Sequence, residues 1–218
     1  MTDTTAPPPE AVRQTYLAAA SVAVDLVASP GVGAAWGRPS ILPGYRVGGL
    51  AAHLGRALIT VDTYLAAPPP PPSAPLVDPP TYFVTALGDH DPVAGAFHAA
   101  VRERSEAAAA GGHASVADGL RAVLDRLTAG PLDLARPLSV LDGLAISLGD
   151  YLRTRLVELT VHGVDLADSV DAPRPPFAPD AWAVAARVVT EVALARNAPE
   201  RVTMALARAD RCPAAPAF

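Results

Sequence analysis

Between Val47 and Leu65 an apolar side chain returns at every third or fourth position (Val47, Leu50, Leu54, Leu58, Val61, Leu65), and five consecutive prolines from Pro68 cut the run off. Steps of three and four draw one stripe along a helix, and a stripe of that kind has to be buried against a partner. Proline lacks the amide hydrogen and clashes with the preceding turn, so the helix ends there. The chain from 68 to 80 should continue as a long, extended, exposed connection.

The partners are present in the same sequence. Val12, Tyr16, Ala20, Ala23 and Val27 share a face of a segment from about Glu10 to Ala28, which Pro30, Gly31 and Gly33 bring to an end. Val93, Phe97, Val101 and Arg104 lie along one side of a segment from about Pro92 to Ala110. Val116, Leu120, Val123, Leu124 and Leu127 mark a shorter helix. Leu148, Leu152, Leu156, Leu159 and Leu166 stripe a long one from about Ala145 to Val170, and Trp182, Val189 and Val192 mark the last, from Asp180 to Arg196. Trp36 to Arg46 holds two prolines and two glycines and reads as an ordered loop. Residues 130–144 are loop-like with room for a short extended piece, and Val202, Met204 and Leu206 fit a strand or a helical turn equally.

Half of the residues are hydrophobic but only 5% are aromatic, so the core is built mainly of Ala, Val and Leu, which suits closely packed helices. The expected fold is all-α: an antiparallel four-helix bundle with additional short helices and the long Pro-rich connection. It forms one domain over 10–210, between a disordered lead-in at 1–9 and a tail at 211–218. The connection at 68–80 does not divide it, because the stripes on either side need one another.

The formal charge of −5 comes from 22 acidic and 17 basic residues, all 17 of them Arg. A mildly acidic chain without a basic block gives no electrostatic reason to expect nucleic acid or an anionic membrane as partner. No apolar run approaches the roughly 20 residues needed to span a bilayer, and the N-terminus lacks the basic-then-apolar pattern of a signal peptide. The chain reads as a cytoplasmic monomer or homodimer. Cys212 is the only cysteine, which excludes an intrachain disulfide.

Polar residues beside the stripes carry the candidate chemistry. Glu158 and His162, four apart in LVELTVHGVDL, lie on the margin of the leucine stripe, and His53 holds an equivalent marginal place between Leu50 and Leu54. Helices packed stripe to stripe would bring two imidazoles and one carboxylate together. That donor set suits zinc, nickel, iron or manganese and leaves positions open. An ordinary exposed or capping Glu–His pair has the same spacing. Asp165, three residues after His162, fits a partner that orients the imidazole or a solvated helix-end carboxylate. Tyr151, Arg155 and Arg56 face roughly the same side and are candidates for substrate contact, although Tyr151 suits packing better.

Other polar residues have simpler readings. His90, between Asp89 and Asp91, reads as a polar turn, and His98 and His113 as isolated and exposed. Ser105 and Ser147 have no visible base partner, so a serine nucleophile is not supported. The glycine pairs Gly48-Gly49 and Gly111-Gly112 lack the surroundings of a phosphate loop.

The stretch from Trp36 to Leu58 (WGRPSILPGYRVGGLAAHLGRAL) and the later VELTVHGVDLADSV resemble the two signature segments of the mycothiol-dependent maleylpyruvate isomerase family, within the wider DinB-like group. The resemblance implies a DinB-like four-helix bundle that holds a divalent metal, zinc before nickel, iron or manganese, through His53, Glu158 and His162. It further implies mycothiol as cosubstrate and a small electrophilic substrate. The implied activity is that of an isomerase or S-transferase, in which the metal lowers the pKa of the thiol and the thiolate attacks. A metal-dependent hydrolase and a non-catalytic metal-binding module remain alternatives. Tyr45 stands where the family more usually has Trp. Arg46 stands where Ser or Thr would cap the helix, so that cap should be lost or replaced. The arginines that family isomerases use on substrate carboxylates have no matching motif here.

Overall fold

The computed structural model describes residues 9–88, 96–141 and 143–208. In chain order the elements are α1 (Pro9–Val27), α2 (Pro30–Ala35), α3 (Val47–Ala66), β1 (Leu76–Val77), α4 (Pro79–Leu87), α5 (Ala96–Ala109) and α6 (His113–Ala129), followed by β2 (Pro137–Val140), β3 (Leu144–Ser147), α7 (Leu148–Ser169), α8 (Pro179–Arg196) and α9 (Pro199–Ala207). The all-α bundle expected from the stripes is what forms.

Four helices close a ring: α1 packs on α7 and α6, and α3 packs on the same two from the other side. The stripes face inward as their period requires. Leu148, Leu152, Leu156, Leu159 and Leu166 of α7 are buried, as are Val47, Leu50, Leu54, Leu58 and Val61 of α3. Each fully buried Leu or Val contributes roughly 1.5–3 kcal/mol relative to leaving it in water, so the α3–α7 seam is a firm base for a site on its margin.

Long-range contacts give the directions. Arg13 donates to the carbonyl of Gly130 at 3.1 Å, and His113 at the start of α6 meets the carbonyl of Val27 at 2.7 Å, so α1 and α6 are antiparallel. Tyr151 donates to Thr60 and Glu158 faces His53, so α3 and α7 are antiparallel too. Leu120 packs over Gly55 and Arg126 pairs with Asp62, so α3 and α6 run the same way. The long path through α4 and α5 allows this. The remaining elements wrap the ring, with α5 on α3 and α8 on α7 and α4.

Several expectations are corrected. Pro30, read as a stop, is also a start, and Pro9, Pro79, Pro179 and Pro199 likewise each open a helix. At the first helical position the missing amide hydrogen costs nothing and the fixed φ is already helical. Ser29 and Asp78 cap two of these helices through the amides of Val32 and Thr81. This produces α2, α4 and α9; the lead-in already turns helical at Pro9, and the connection at 68–80 contains β1 and the first turn of α4.

Residues 145–147 belong to a strand rather than to α7. The sheet order is β1-β3-β2, with β1 parallel and β2 antiparallel to β3. Ser147 then caps α7, accepting from the amide of Asp150 at 3.0 Å. Among the described side chains of α5 the buried ones are Ser105 and Ala109, whereas Arg104 is exposed. Trp182 is 41% exposed on the outside of α8, whose inner face is Ala181, Val184, Ala185, Val188 and Val192. His113 is neither isolated nor exposed: it is half-buried and lies edge-on to Trp36.

His90, Pro92, Val93, Cys212, residues 1–8, the tail at 211–218 and the side chain of Phe97 lie outside the described residues. Among those described, no helix is long and apolar enough to cross a membrane.

Candidate metal centre

The loop before α3 is shaped by its own turn residues. Gly44 has φ +82°, a conformation that only glycine adopts without strain, and the amide of Ser40 donates to the carbonyl of Tyr45 at 2.9 Å. The loop then feeds the helix directly: the amides of Val47 and Gly48 donate to the carbonyls of Arg38 and Trp36, each at 2.9 Å. Its far side is tied to the end of α7, where Ser169 accepts from the amide of Ile41 at 3.0 Å. The two signature segments are therefore bonded to each other.

Arg46 occupies the cap position of α3 and makes no side-chain cap bond, as its identity suggested. The replacement comes from another helix. Glu106 on α5 accepts from the amide of Arg46 at 2.8 Å, which places a carboxylate at the positive end of α3. Gly48 and Gly49 make room: a Cβ at Gly48 would meet the ring of Trp36 at 2.6 Å, and one at Gly49 would meet Oε1 of Glu106 at 2.0 Å.

One and a half turns into α3, His53 points across the seam at α7. Its Nε2 lies 3.9 Å from Oε2 of Glu158, and Nε2 of His162 lies 3.4 Å from the same oxygen. The three ligand atoms all lie within 4.8 Å of one another. Two donors that each sit about 2.1 Å from one tetrahedral ion are roughly 3.4 Å apart, so the set is close to the size a first-row ion needs. The side chains of Glu158 and His162 are 23% and 20% exposed, so the group is reachable from solvent. Asp165, in the orienting position, holds Nδ1 of His162 through Oδ2 at 3.0 Å. Behind His53 stands Ser105, with Oγ 3.5 Å from Nδ1, and the ring of Tyr45 packs 5.5 Å away at a tilt.

The electrostatics follow from this crowding. Burial works against ionising Glu158, but the hydrogen bond from His162 and the charge of Arg155 outweigh it and hold the carboxyl well below its usual range. Burial also works against charging His162, yet the hydrogen bonds to Asp165 and Glu158 lift its pKa to about 9. His53 loses on both counts: burial and the neighbouring His162 charge lower it to about 4. At neutral pH the metal-free triad is thus an ionised Glu158, a charged His162 and a neutral His53.

Deeper along the seam is a cation held by rings. Arg155 is only 7% exposed, and its guanidinium lies 4.7 Å from the ring centre of Tyr151 and 5.7 Å from that of Tyr82. Its Nε donates to Thr154 at 3.1 Å, and among the described residues no carboxylate lies within 4.0 Å of it. Tyr151 is buried, with its hydroxyl donated to Thr60 at 2.8 Å, so its contribution is to pack against Arg155. Arg56 is half-buried on α3, three residues past His53. A groove of about 310 Å³ edged by Asp150, Arg153, Arg187 and Glu191 is lined by none of these residues.

Sequence reasoning set Ser105 aside for want of a base partner, although its Oγ lies 3.5 Å from His53, and it missed Glu106 and Tyr82. Ser105 and Glu106 act from a third helix, so no spacing within α3 or α7 announces them. The face assigned to α5 was also one position off, at Arg104 instead of Ser105.

Comparisons with known proteins agree with the two segments. No curated protein and no solved structure matches the chain. Residues 16–167, well over half of the sequence and including all three residues of the triad, match the family described as mycothiol maleylpyruvate isomerase N-terminal domain, and the chain belongs to that family.

Proposed function

We propose that the protein is a divalent-metal, thiol-dependent enzyme whose ligands are His53, Glu158 and His162, with mycothiol as the thiol and a small electrophile as substrate. The observation that carries this reading is the convergence of two imidazoles and one carboxylate at the contact between the two family segments, with Asp165 holding His162 from behind. A divalent ion in such a site, zinc before nickel, iron or manganese, lowers the pKa of a coordinated thiol or water.

The chain's own residues would then do three things. Asp165 orients His162. The buried seam around Tyr82 and Tyr151 excludes water from one side of the site. Arg155, with no carboxylate within 4.0 Å among the described residues, receives an anionic group of the substrate, and Arg56 reinforces it from α3. Addition of the thiolate sulfur to an unsaturated carbon moves the electron pair onto the substrate's electron-withdrawing group. Return of that pair with loss of sulfur completes an isomerisation, and retention of sulfur with protonation completes an S-transfer. The reaction belongs in the cytoplasm, where low-molecular-weight thiols are kept reduced.

Elemental analysis of the purified protein, beside His53→Ala and His162→Ala, tests the centre. The expected result is near-stoichiometric metal in the wild type and loss in both variants. Metal-free wild type that also fails to take up added zinc or nickel overturns it. Turnover of activated alkenes only with mycothiol present supports thiol chemistry, whereas thiol-independent ester cleavage would make the protein a hydrolase. A metal-loaded protein inert in both assays would make it a binding module.

A further inference from the structure

We propose that Ser105 is a positioning residue for His53, using its hydroxyl as an acceptor to hold the imidazole in the tautomer that turns the Nε2 lone pair toward Glu158 and His162. The proposal rests on His53 being a metal ligand, but the hydrogen-bonding pattern behind it is a property of the metal-free chain.

Ser105 is 1% exposed and reaches from α5 to the α3–α7 seam. Its Oγ lies 2.8 Å from the carbonyl oxygen of Val101, one turn earlier on α5. A carbonyl only accepts, so the single hydroxyl proton of Ser105 is committed to it. What remains on Oγ is lone pairs, and these face the hydroxyl of Tyr45 and, at 3.5 Å, Nδ1 of His53. For that contact to be favourable Nδ1 has to carry the proton. A neutral imidazole with its proton on Nδ1 has its lone pair on Nε2, the atom 3.9 Å from Glu158. Tyr45, packed against the same ring, limits its rotation.

The two histidines are thus supported from behind by unlike groups. His162 has the carboxylate of Asp165 on Nδ1 and His53 has a neutral hydroxyl. The hydroxyl sets the tautomer of His53 without adding charge.

The test is the ¹⁵N NMR tautomer pattern of His53 in the metal-free, full-length protein near neutral pH, together with zinc affinity by competition with a chelating dye. The wild type should show His53 protonated on Nδ1. Ser105→Ala should show a mixture of tautomers or the opposite one, with zinc bound about 10- to 100-fold more weakly and the thermal midpoint close to wild type. Ser105→Thr, which keeps the hydroxyl, should recover most of the affinity. A wild-type His53 protonated on Nε2, or a folded Ser105→Ala that binds zinc as tightly as wild type, overturns the proposal. If the wild type binds no zinc, the metal reading falls by itself, and the tautomer still decides whether Ser105 positions the ring.

Discussion

Oε2 of Glu158 accepts the approach of Nε2 of His162 at 3.4 Å, one turn apart on the same helix, and this pair sets the charge state of the centre. The carboxylate keeps the imidazole protonated, and the protonated imidazole keeps the carboxylate ionised. If the proposed metal is held here, that proton has to leave His162.

That proton loss makes zinc affinity depend on pH in a stated direction. His162 titrates near 9 in the folded chain and near 6.5 when unfolded. In the metal-free protein its contribution to stability is therefore fully present below about 6.5 and is lost as the pH rises through about 9. Metal binding displaces that proton, so affinity should rise about tenfold per pH unit up to about 9 and then level off. His53, lowered to about 4, is neutral over this range and adds nothing. Zinc titrations in buffers of different ionisation enthalpy should count about one proton released per ion at pH 7.5; zero would contradict the assignment.

Glu158→Gln removes the central charge and keeps the shape. Metal affinity should fall more than about 100-fold, beyond the effect of altering a supporting residue, and the His162 pKa should drop toward its ordinary value because the second carboxylate partner is gone. Dye competition and ¹H NMR titration of His162 check the two parts separately.

Arg155→Met separates substrate recognition from metal binding. Among the described residues no carboxylate lies within 4.0 Å of this buried cation, and the rings of Tyr151 and Tyr82 offset its burial, so an apolar chain of similar length should leave thermal stability close to wild type. Zinc should still bind at near-stoichiometric content, because the hydrogen bond from His162 keeps Glu158 ionised without Arg155. If Arg155 holds an anionic group, KM for anionic electrophiles should rise about 10- to 100-fold, since a charge-assisted hydrogen bond is worth about 1.5–3 kcal/mol, while neutral analogues are unaffected. Equal effects on both substrate types would refute the role.

Gly49→Ala should change sign with its background. In the wild type the new Cβ would fall 2.0 Å from Oε1 of Glu106, displace the carboxylate from the start of α3 and cost about 1–2 kcal/mol. In a Glu106→Ala background the obstacle is absent, and the better helix propensity of Ala should stabilise by up to about 1 kcal/mol. A double-mutant cycle by urea denaturation measures the coupling, and additivity would show that Glu106 is not the cap.

Much of this protein is local and therefore readable along the chain. The stripes of α3 and α7 repeat at helical steps, so their burial follows from periodicity, and His53, Glu158 and His162 stand on stripe margins where two packed helices must bring them close. The motifs Leu-Pro-Gly-Tyr and His-Gly-Val-Asp-Leu are equally local. What only the tertiary structure decided joins residues distant in sequence. Glu106 caps a helix that begins 59 residues earlier, Ser105 reaches the ring of His53 52 residues away, and Tyr82 and Tyr151 share the cation of Arg155. Such contacts need no periodicity and leave no spacing to read. The prolines were ambiguous for a related reason. A proline stops one helix and starts the next with the same two properties, and which it does depends on whether the following residues find a surface to pack on. Trp182 shows the same dependence: the sequence groups it with Val189 and Val192 in marking α8, but the face of α8 that fits α7 is the one lined with Ala and Val, because close helix packing leaves no room for an indole.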